Sequence, residues 1–179
     1  MTDHVAEILD AWARERPDLD VSPVGIFGRI SRIERHKNRA LAAVSKQHNI
    51  DGGDYDVLAA LRRSGPPYCL TPTELFRGLI VTSATMTERL DRLERRELIR
   101  RHRSATDRRS VIVELTEAGR VLQDSVHEDL LQTEAGLLAP LSGQSRAALA
   151  TLLAELAGAL DAAGEITLSP RPAANRKGL

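Results

Sequence analysis

No segment constrains this chain more than Leu70 to Gly119, which reads LTPTELFRGLIVTSATMTERLDRLERRELIRRHRSATDRRSVIVELTEAG. Thr71-Pro72-Thr73-Glu74 is a capping box, with threonine at the cap, proline at the first helical position and glutamate three residues on. Leu75, Phe76 and Leu79 supply a short apolar face, and Gly78 with the run to Val81 allows a tight turn. Thr82, Ser83 and Thr85 then offer cap hydroxyls for a second helix. In that helix Met86, Leu90 and Leu93 recur at i, i+4 and i+7, so one stripe faces a core, while Ala84, Glu88, Asp91 and Arg95 fall on the opposite face. Ile99 to Arg103 and Ser110 to Leu115 read as two strands, the second carrying β-branched Val111, Ile112 and Val113. Between them Ser104 to Arg109 is a polar turn tipped with arginine. Thr116 caps a further helix, with Glu117 in its first turn, where the helix dipole favours negative charge. Helix, turn, helix, hairpin, helix is the order of a winged helix-turn-helix, a module that lays one helix in the DNA major groove and a β-loop beside it. The order implies a mainly α fold with a two-stranded β-wing, and DNA recognition rather than catalysis.

The 25 basic and 25 acidic residues leave no net charge, which by itself argues against a polyanionic partner. Their distribution reverses that impression. From Arg77 to Arg109, ten arginines face five acids, a net of +5; from Ser110 to Ser169, two arginines face nine acids, a net of −7. Residues 1–76 nearly balance, and the last ten add +3. A basic reading head followed by acidic helices is the electrostatic footprint of phosphate binding. Arginines also solvate helix faces, so charge segregation alone is not specific.

At 179 residues the chain suits one domain, or one domain with an extension. The sequence has no apolar run long enough to span a bilayer and no signal-peptide pattern, so a soluble, cytoplasmic protein is expected. The single cysteine, Cys69, rules out an internal disulfide framework. Residues 1–20 read as an extra N-terminal helix, with Val5, Ile8, Leu9 and Trp12 on one side and a break at Pro17 to Asp20. Residues 21–164 read as the winged-helix domain with long flanking helices, its DNA-reading part at about 70–116. Ser22-Pro23 caps a helix running to about His48, and Asp51-Gly52-Gly53 separates it from one carrying Tyr55, Leu58, Ala59 and Leu61. Thr116 to about Leu138 and Ser142 to Ala163 are helical, the last with an apolar stripe of Leu149, Leu152, Leu153, Leu156 and Leu160. Residues 165–179 have the composition of a disordered tail. The apolar stripes of the N- and C-terminal helices call for a partner surface, and a two-fold homodimer would span two half-sites of a pseudo-palindromic operator.

LTPTEL, then TSATMTERLDRLERREL, then Asp107-Arg108-Arg109, then Leu115-Thr116-Glu117-Ala118-Gly119, in this order and spacing, closely resemble the MarR family of bacterial regulators. The resemblance covers about Ser22 to Ala163. It implies an obligate dimer with a β-wing and, usually, repression relieved by a small ligand or an oxidant. One departure is Glu97: the family usually has glycine there, where the recognition helix closes, and a left-handed glutamate costs about 1 kcal/mol.

For base contacts the start of the recognition helix offers Ser83, Ala84, Thr85, Thr87 and Glu88, small groups that can approach base edges and thymine methyls. Arg92, Arg95 and Arg103 are candidates for phosphate contacts, which position without specifying. Arg108 and Arg109 sit at the wing tip; the resemblance implies that Arg109 enters the minor groove while Asp107 steadies the loop. Arginine there favours narrow, A·T-rich grooves.

Trp12 on its extra helix, the run Tyr55 to Arg63 and the phrase MTERLDRLERRELIRR are similar to the PecS-type, urate-responsive branch of the family. In that branch a tryptophan, an aspartate and two arginines surround the ligand, and the matching positions here are Trp12, Asp56, Arg89 and Arg101. An indole face stacks on a flat ring, guanidinium groups pair with an anion, and a carboxylate would be pushed by one. Arg89 lies on the recognition helix, so a pull on it would turn the element that reads DNA. The same residues admit plainer readings. Trp12 suits a dimer-interface anchor, Asp56 and Arg89 suit a structural ion pair, and the four together specify a flat anion more firmly than urate; a carboxylic acid or a phenolic ligand fits as well.

Other classes find little support. No GxSxG, HExxH, Walker or dinucleotide motif marks an enzyme, and no cofactor is implied. His4, His36, His48, His102 and His127 are scattered without metal-ligand spacing, so no metal site is expected. Cys69, just before the helix-turn-helix and next to Tyr68, leaves oxidation as an alternative signal.

Overall fold

The computed structural model describes residues 3–78, 83–103 and 110–164, the side chains of 78, 83 and 84 excepted. Capping chemistry sets most element boundaries. The Asp3 carboxylate accepts the Val5 amide at 3.1 Å and opens α1, His4–Glu15. Helix α2, Ser22–Gln47, does not start on a Ser22 cap as the sequence implies. Ser22 already lies inside the helix, and Asp20 accepts both its amide (2.9 Å) and its hydroxyl (3.1 Å). At the far end Asn49 is left-handed (φ 50°) and the Ile50 amide reaches back to the Ser45 carbonyl at 3.0 Å, a closure that asparagine tolerates. Asp51 then caps α3, Gly52–Arg63, by accepting the Asp54 amide at 2.8 Å.

The reading head follows as β1 (Cys69–Leu70), α4 (Pro72–Gly78), α5 (Ser83–Arg95), β2 (Ile99–Arg103) and β3 (Val111–Leu115). The capping box forms: Glu74 accepts the Thr71 amide at 2.7 Å, and the Thr71 hydroxyl accepts the Glu74 amide at 3.2 Å. β2 and β3 pair antiparallel from Ile99↔Leu115 to Arg103↔Val111. The sheet has one strand more than the two-stranded wing of the sequence reading. β1 adds antiparallel to the other edge of β3, with Cys69 opposite Glu114 and Leu70 opposite Val113, giving the order β1-β3-β2. Two residues are too few to show a period, so the third strand left no pattern to read.

Helix α6, Glu117–Leu138, begins where the Thr116 hydroxyl accepts the Gly119 amide at 3.0 Å. Gly119 sits so close to the Leu98 carbonyl that a Cβ would find no room, which explains why this turn needs glycine. Ser142 caps the last helix, α7, Gly143–Ala163, by accepting the Ser145 amide at 3.1 Å.

The chain divides into two compact units, Met1–Leu137 and Leu138–Leu179. The first has one hydrophobic core, in which Val57, Leu58 and Leu61 of α3, Leu75 of α4, Met86, Leu90 and Leu93 of α5, Ile99, Val113 and Leu115 of the sheet, and Val126 of α6 pack together. In it α1 packs on α2, where Arg29 Nε donates to Asp3 at 3.0 Å. In the second unit α7 has no buried residue, and its Leu152 is 63% exposed. Among the described residues no helix is long and apolar enough to cross a membrane. The expected tail, 165–179, lies outside the described residues.

Candidate functional site

Helix α5 is held by its apolar stripe: Met86, Leu90 and Leu93 are buried against α3, α4 and the sheet, which leaves Thr87, Glu88 and Arg95 on the exposed side. Its end is a Schellman closure. The Leu98 amide bonds the Leu93 carbonyl (3.0 Å), the Glu97 amide bonds the Glu94 carbonyl (2.9 Å), and Glu97 takes φ 58°. The left-handed turn is therefore kept without glycine. Ser83 and Ala84 lie in the first turn of α5, their side chains outside the described ones, and Asp107, Arg108 and Arg109 lie outside the described residues altogether. Thr85, the third residue of α5, is half-buried.

The arginines of the basic head divide into two groups. Arg95 and Arg103 are exposed and have no ion-pair partner among the described residues; Arg95 only donates to the Asp91 carbonyl at 3.3 Å. Arg92 instead bridges to α3. It donates to both carboxylate oxygens of Asp54 (2.7 and 2.6 Å) and to Asp51 (3.0 Å), and Asp54 is 1% exposed. A phosphate at Arg92 would have to compete with a buried carboxylate. On the other flank of α5, Arg101 of β2 holds Glu94 (2.5 Å) and Asp91 (2.7 Å), and the Arg101 hydrogen bond keeps the Glu94 carboxyl below the usual range. Arg100 likewise holds Glu114 through both oxygens (2.7 and 2.5 Å) and lowers its pKa. The Arg92 and Arg101 pairs tie the recognition helix to α3 on one side and to β2 on the other, and the Arg100 pair ties β2 to β3.

Of the four effector candidates the structure brings two together. The Arg89 guanidinium lies across the first turn of α3 against Gly53, where a Cβ would find no room. Its charge bears on Asp56: desolvation pushes the Asp56 carboxyl above its usual range, and the Arg89 charge offsets only part of that rise. Beside them a cavity of about 260 Å³ is lined by Leu41, Ser45 and Gly52, by Tyr55 and Asp56 of α3, and by His127 and Glu134 of α6. Tyr55 and His127 meet there, hydroxyl to Nδ1, at 2.8 Å. Arg101 is engaged with Glu94 and Asp91 instead, and Trp12 stands on α1, 48% exposed, with no polar or ring contact to the other three. Gly53, Tyr55 and His127 appear in the sequence analysis but not as site residues. Nothing local marks them, because each acquires its role from a residue far along the chain.

A MarR family model matches residues 48–110, from just after α2 to just before β3. The chain is 38% identical to the HTH-type transcriptional regulator PecS of Dickeya dadantii (strain 3937), over 83% of this chain and 90% of that protein. It is 29% identical to the HTH-type transcriptional repressor NicR of Pseudomonas putida, over 82% of this chain and 93% of that one. Among solved structures, a MarR variant from E. coli complexed with operator DNA superposes with a TM-score of 0.64 at 26% identity, covering 77% of this chain and 99% of that one. A capped α4, a recognition helix held by its apolar stripe and a strand pair closing on Thr116 agree with these likenesses over most of the chain, and the chain belongs to the MarR family of DNA-binding transcriptional regulators, on its PecS-type branch.

Proposed function

We propose that the chain acts as a homodimeric repressor that leaves its operator when a small, flat anion, urate in first place, draws Arg89 away from α3. The observation that carries this reading is the position of Arg89. It is rooted on the recognition helix and lies against Gly53 in the first turn of α3, close enough to bear on the charge of Asp56, which lines a cavity of about 260 Å³. An anion in that cavity attracts Arg89 and repels Asp56, so its binding energy is delivered to the helix that reads DNA. Base contacts are assigned to Ser83, Ala84, Thr85, Thr87 and Glu88, phosphate contacts to Arg95 and Arg103, and the minor groove to Arg109 with Arg108 and Asp107 at the wing tip. Trp12 and Arg101 belong to the proposed ligand set through the resemblance, and Arg101 would first have to leave Glu94 and Asp91. The uncovered leucines of α7 and the exposed Ile26 and Phe27 of α2 support the dimer.

Other small carboxylates or phenolics are the competing effectors, since Arg89 offers them the same charge and Tyr55 and His127 the same hydrogen-bonding edge. Oxidation at Cys69 is less favoured. Desolvation, with the Glu114 charge beside it, pushes the thiol up, which lowers the thiolate fraction that oxidants attack. The test compares the parent with Arg89→Ala. The parent is expected to release its operator on urate addition, and Arg89→Ala to bind the operator and ignore urate. Equal release from both proteins would remove Arg89 from the mechanism.

A further inference from the structure

The sheet holds a cluster that neither DNA reading nor the anion site uses. Cys69 on β1 stands directly opposite Glu114 on β3, and Glu114 stands opposite Arg100 on β2. His102 is two residues along β2 from Arg100, so by the strand alternation its side chain leaves the sheet on the same face as those of Cys69 and Glu114. A thiol sulfur, a ring nitrogen and a carboxylate oxygen consequently lie within 4.8 Å of one another. His102 Nε2 is already 3.1 Å from Glu114 Oε2. We propose that Cys69, His102 and Glu114 form a binding site for a transition-metal dication of borderline softness, Zn²⁺ in first place, at the root of the wing.

The donor set chooses the metal. One thiolate, one imidazole and one carboxylate suit Zn²⁺ and its neighbours, whereas Mg²⁺ and Ca²⁺ want several oxygens and no sulfur. Three donors on three strands fix the spacing through the ladder, and their half-buried to exposed side chains leave room to close to coordination distance and leave a fourth position open to water. Positive charge already rests on Glu114, since the Arg100 guanidinium holds both its oxygens. A dication would take that place and free Arg100. The ion would also cross-link all three strands. β1 leads directly into α4, and β2 and β3 carry the wing, so such a clip fixes the wing relative to the helix-turn-helix. The donors lie far apart in sequence, which is why a scan for metal-ligand spacing passes over them.

The test uses the full chain, freed of metal by a chelator and kept reduced with a phosphine. Co²⁺ is titrated while the thiolate-to-cobalt charge-transfer absorption is followed. The expected result is a band that saturates at about one ion per chain and is bleached by Zn²⁺. Cys69→Ser should abolish the band, and His102→Ala or Glu114→Gln should weaken Co²⁺ binding at least about tenfold, a loss that even outer-shell partners cause. His102 is exposed, so His102→Ala keeps the test decisive if Cys69→Ser fails to fold. No band, a band that survives Cys69→Ser, or unaltered affinity in a folded His102→Ala would each overturn the site. None of these outcomes depends on whether urate releases the operator.

Discussion

Glu97 occupies a backbone position that glycine fills without steric cost. Its φ of 58° brings Cβ close to the neighbouring carbonyl, yet the turn it closes is what aims β2 away from the end of α5. Glu97→Gly is expected to stabilise the fold by about 1 kcal/mol, read as a higher urea midpoint with an unchanged slope. A lower midpoint would mean that the glutamate side chain contributes more than the backbone loses. Arg92 presents the opposite case. Asp54 is buried, Arg92 donates to both oxygens of its carboxylate, and the Asp51 carboxylate accepts its backbone amide. Removing one member of a buried pair strands the other, and partial exposure of Arg92 reduces the cost. Arg92→Ala should destabilise by about 2–3 kcal/mol in chemical unfolding. A loss of operator affinity with no loss of stability would instead return Arg92 to the phosphate contacts.

At the scale of elements, one ion pair braces the wing side of the recognition helix and another joins the two wing strands, and both titrate. Glu94 and Glu114 are held below the usual glutamate range by hydrogen bonds from Arg101 and Arg100. A carboxylate whose folded pKa is depressed contributes stability that is complete above its unfolded value, about 4.3, and is lost as pH falls through the lower folded value. The thermal midpoint should therefore fall as pH drops below about 5, and Glu94→Gln should flatten that acid limb. An acid limb unchanged in Glu94→Gln would show that the pair adds nothing. The elements themselves were largely legible, because local chemistry writes them: Asp3, Thr71 with Glu74, and Ser142 cap as residues of their kind should, and the Met86–Leu90–Leu93 stripe is buried. The partnerships between elements were not legible. Arg92 with Asp54, Arg89 over Gly53, and β1 on the edge of β3 each depend on where the chain returns, and no periodicity records that.

For the whole molecule, the first unit owns a complete core, whereas α7 leaves Leu149, Leu152, Leu153 and Leu160 uncovered. Burying one such leucine is worth about 1.5–3 kcal/mol, so a stripe of them against a second copy supplies a strong association. Leu152→Asp is expected to shift the chain from dimer to monomer in light scattering and, by separating the two reading heads, to abolish tight operator binding. A dimer that persists in Leu152→Asp would move the interface away from α7. The segregated charge fits the same proposal: the net +5 between Arg77 and Arg109 suits a phosphate backbone.

The most direct test of the account is a mobility shift with the chain's own upstream DNA, titrating urate at fixed salt. The account predicts a tight, saturable complex that urate dissolves at concentrations that leave an unrelated DNA-binding protein on its site. A tight complex untouched by urate would contradict the assigned signal, and no salt-sensitive complex at all would contradict the operator-binding role itself.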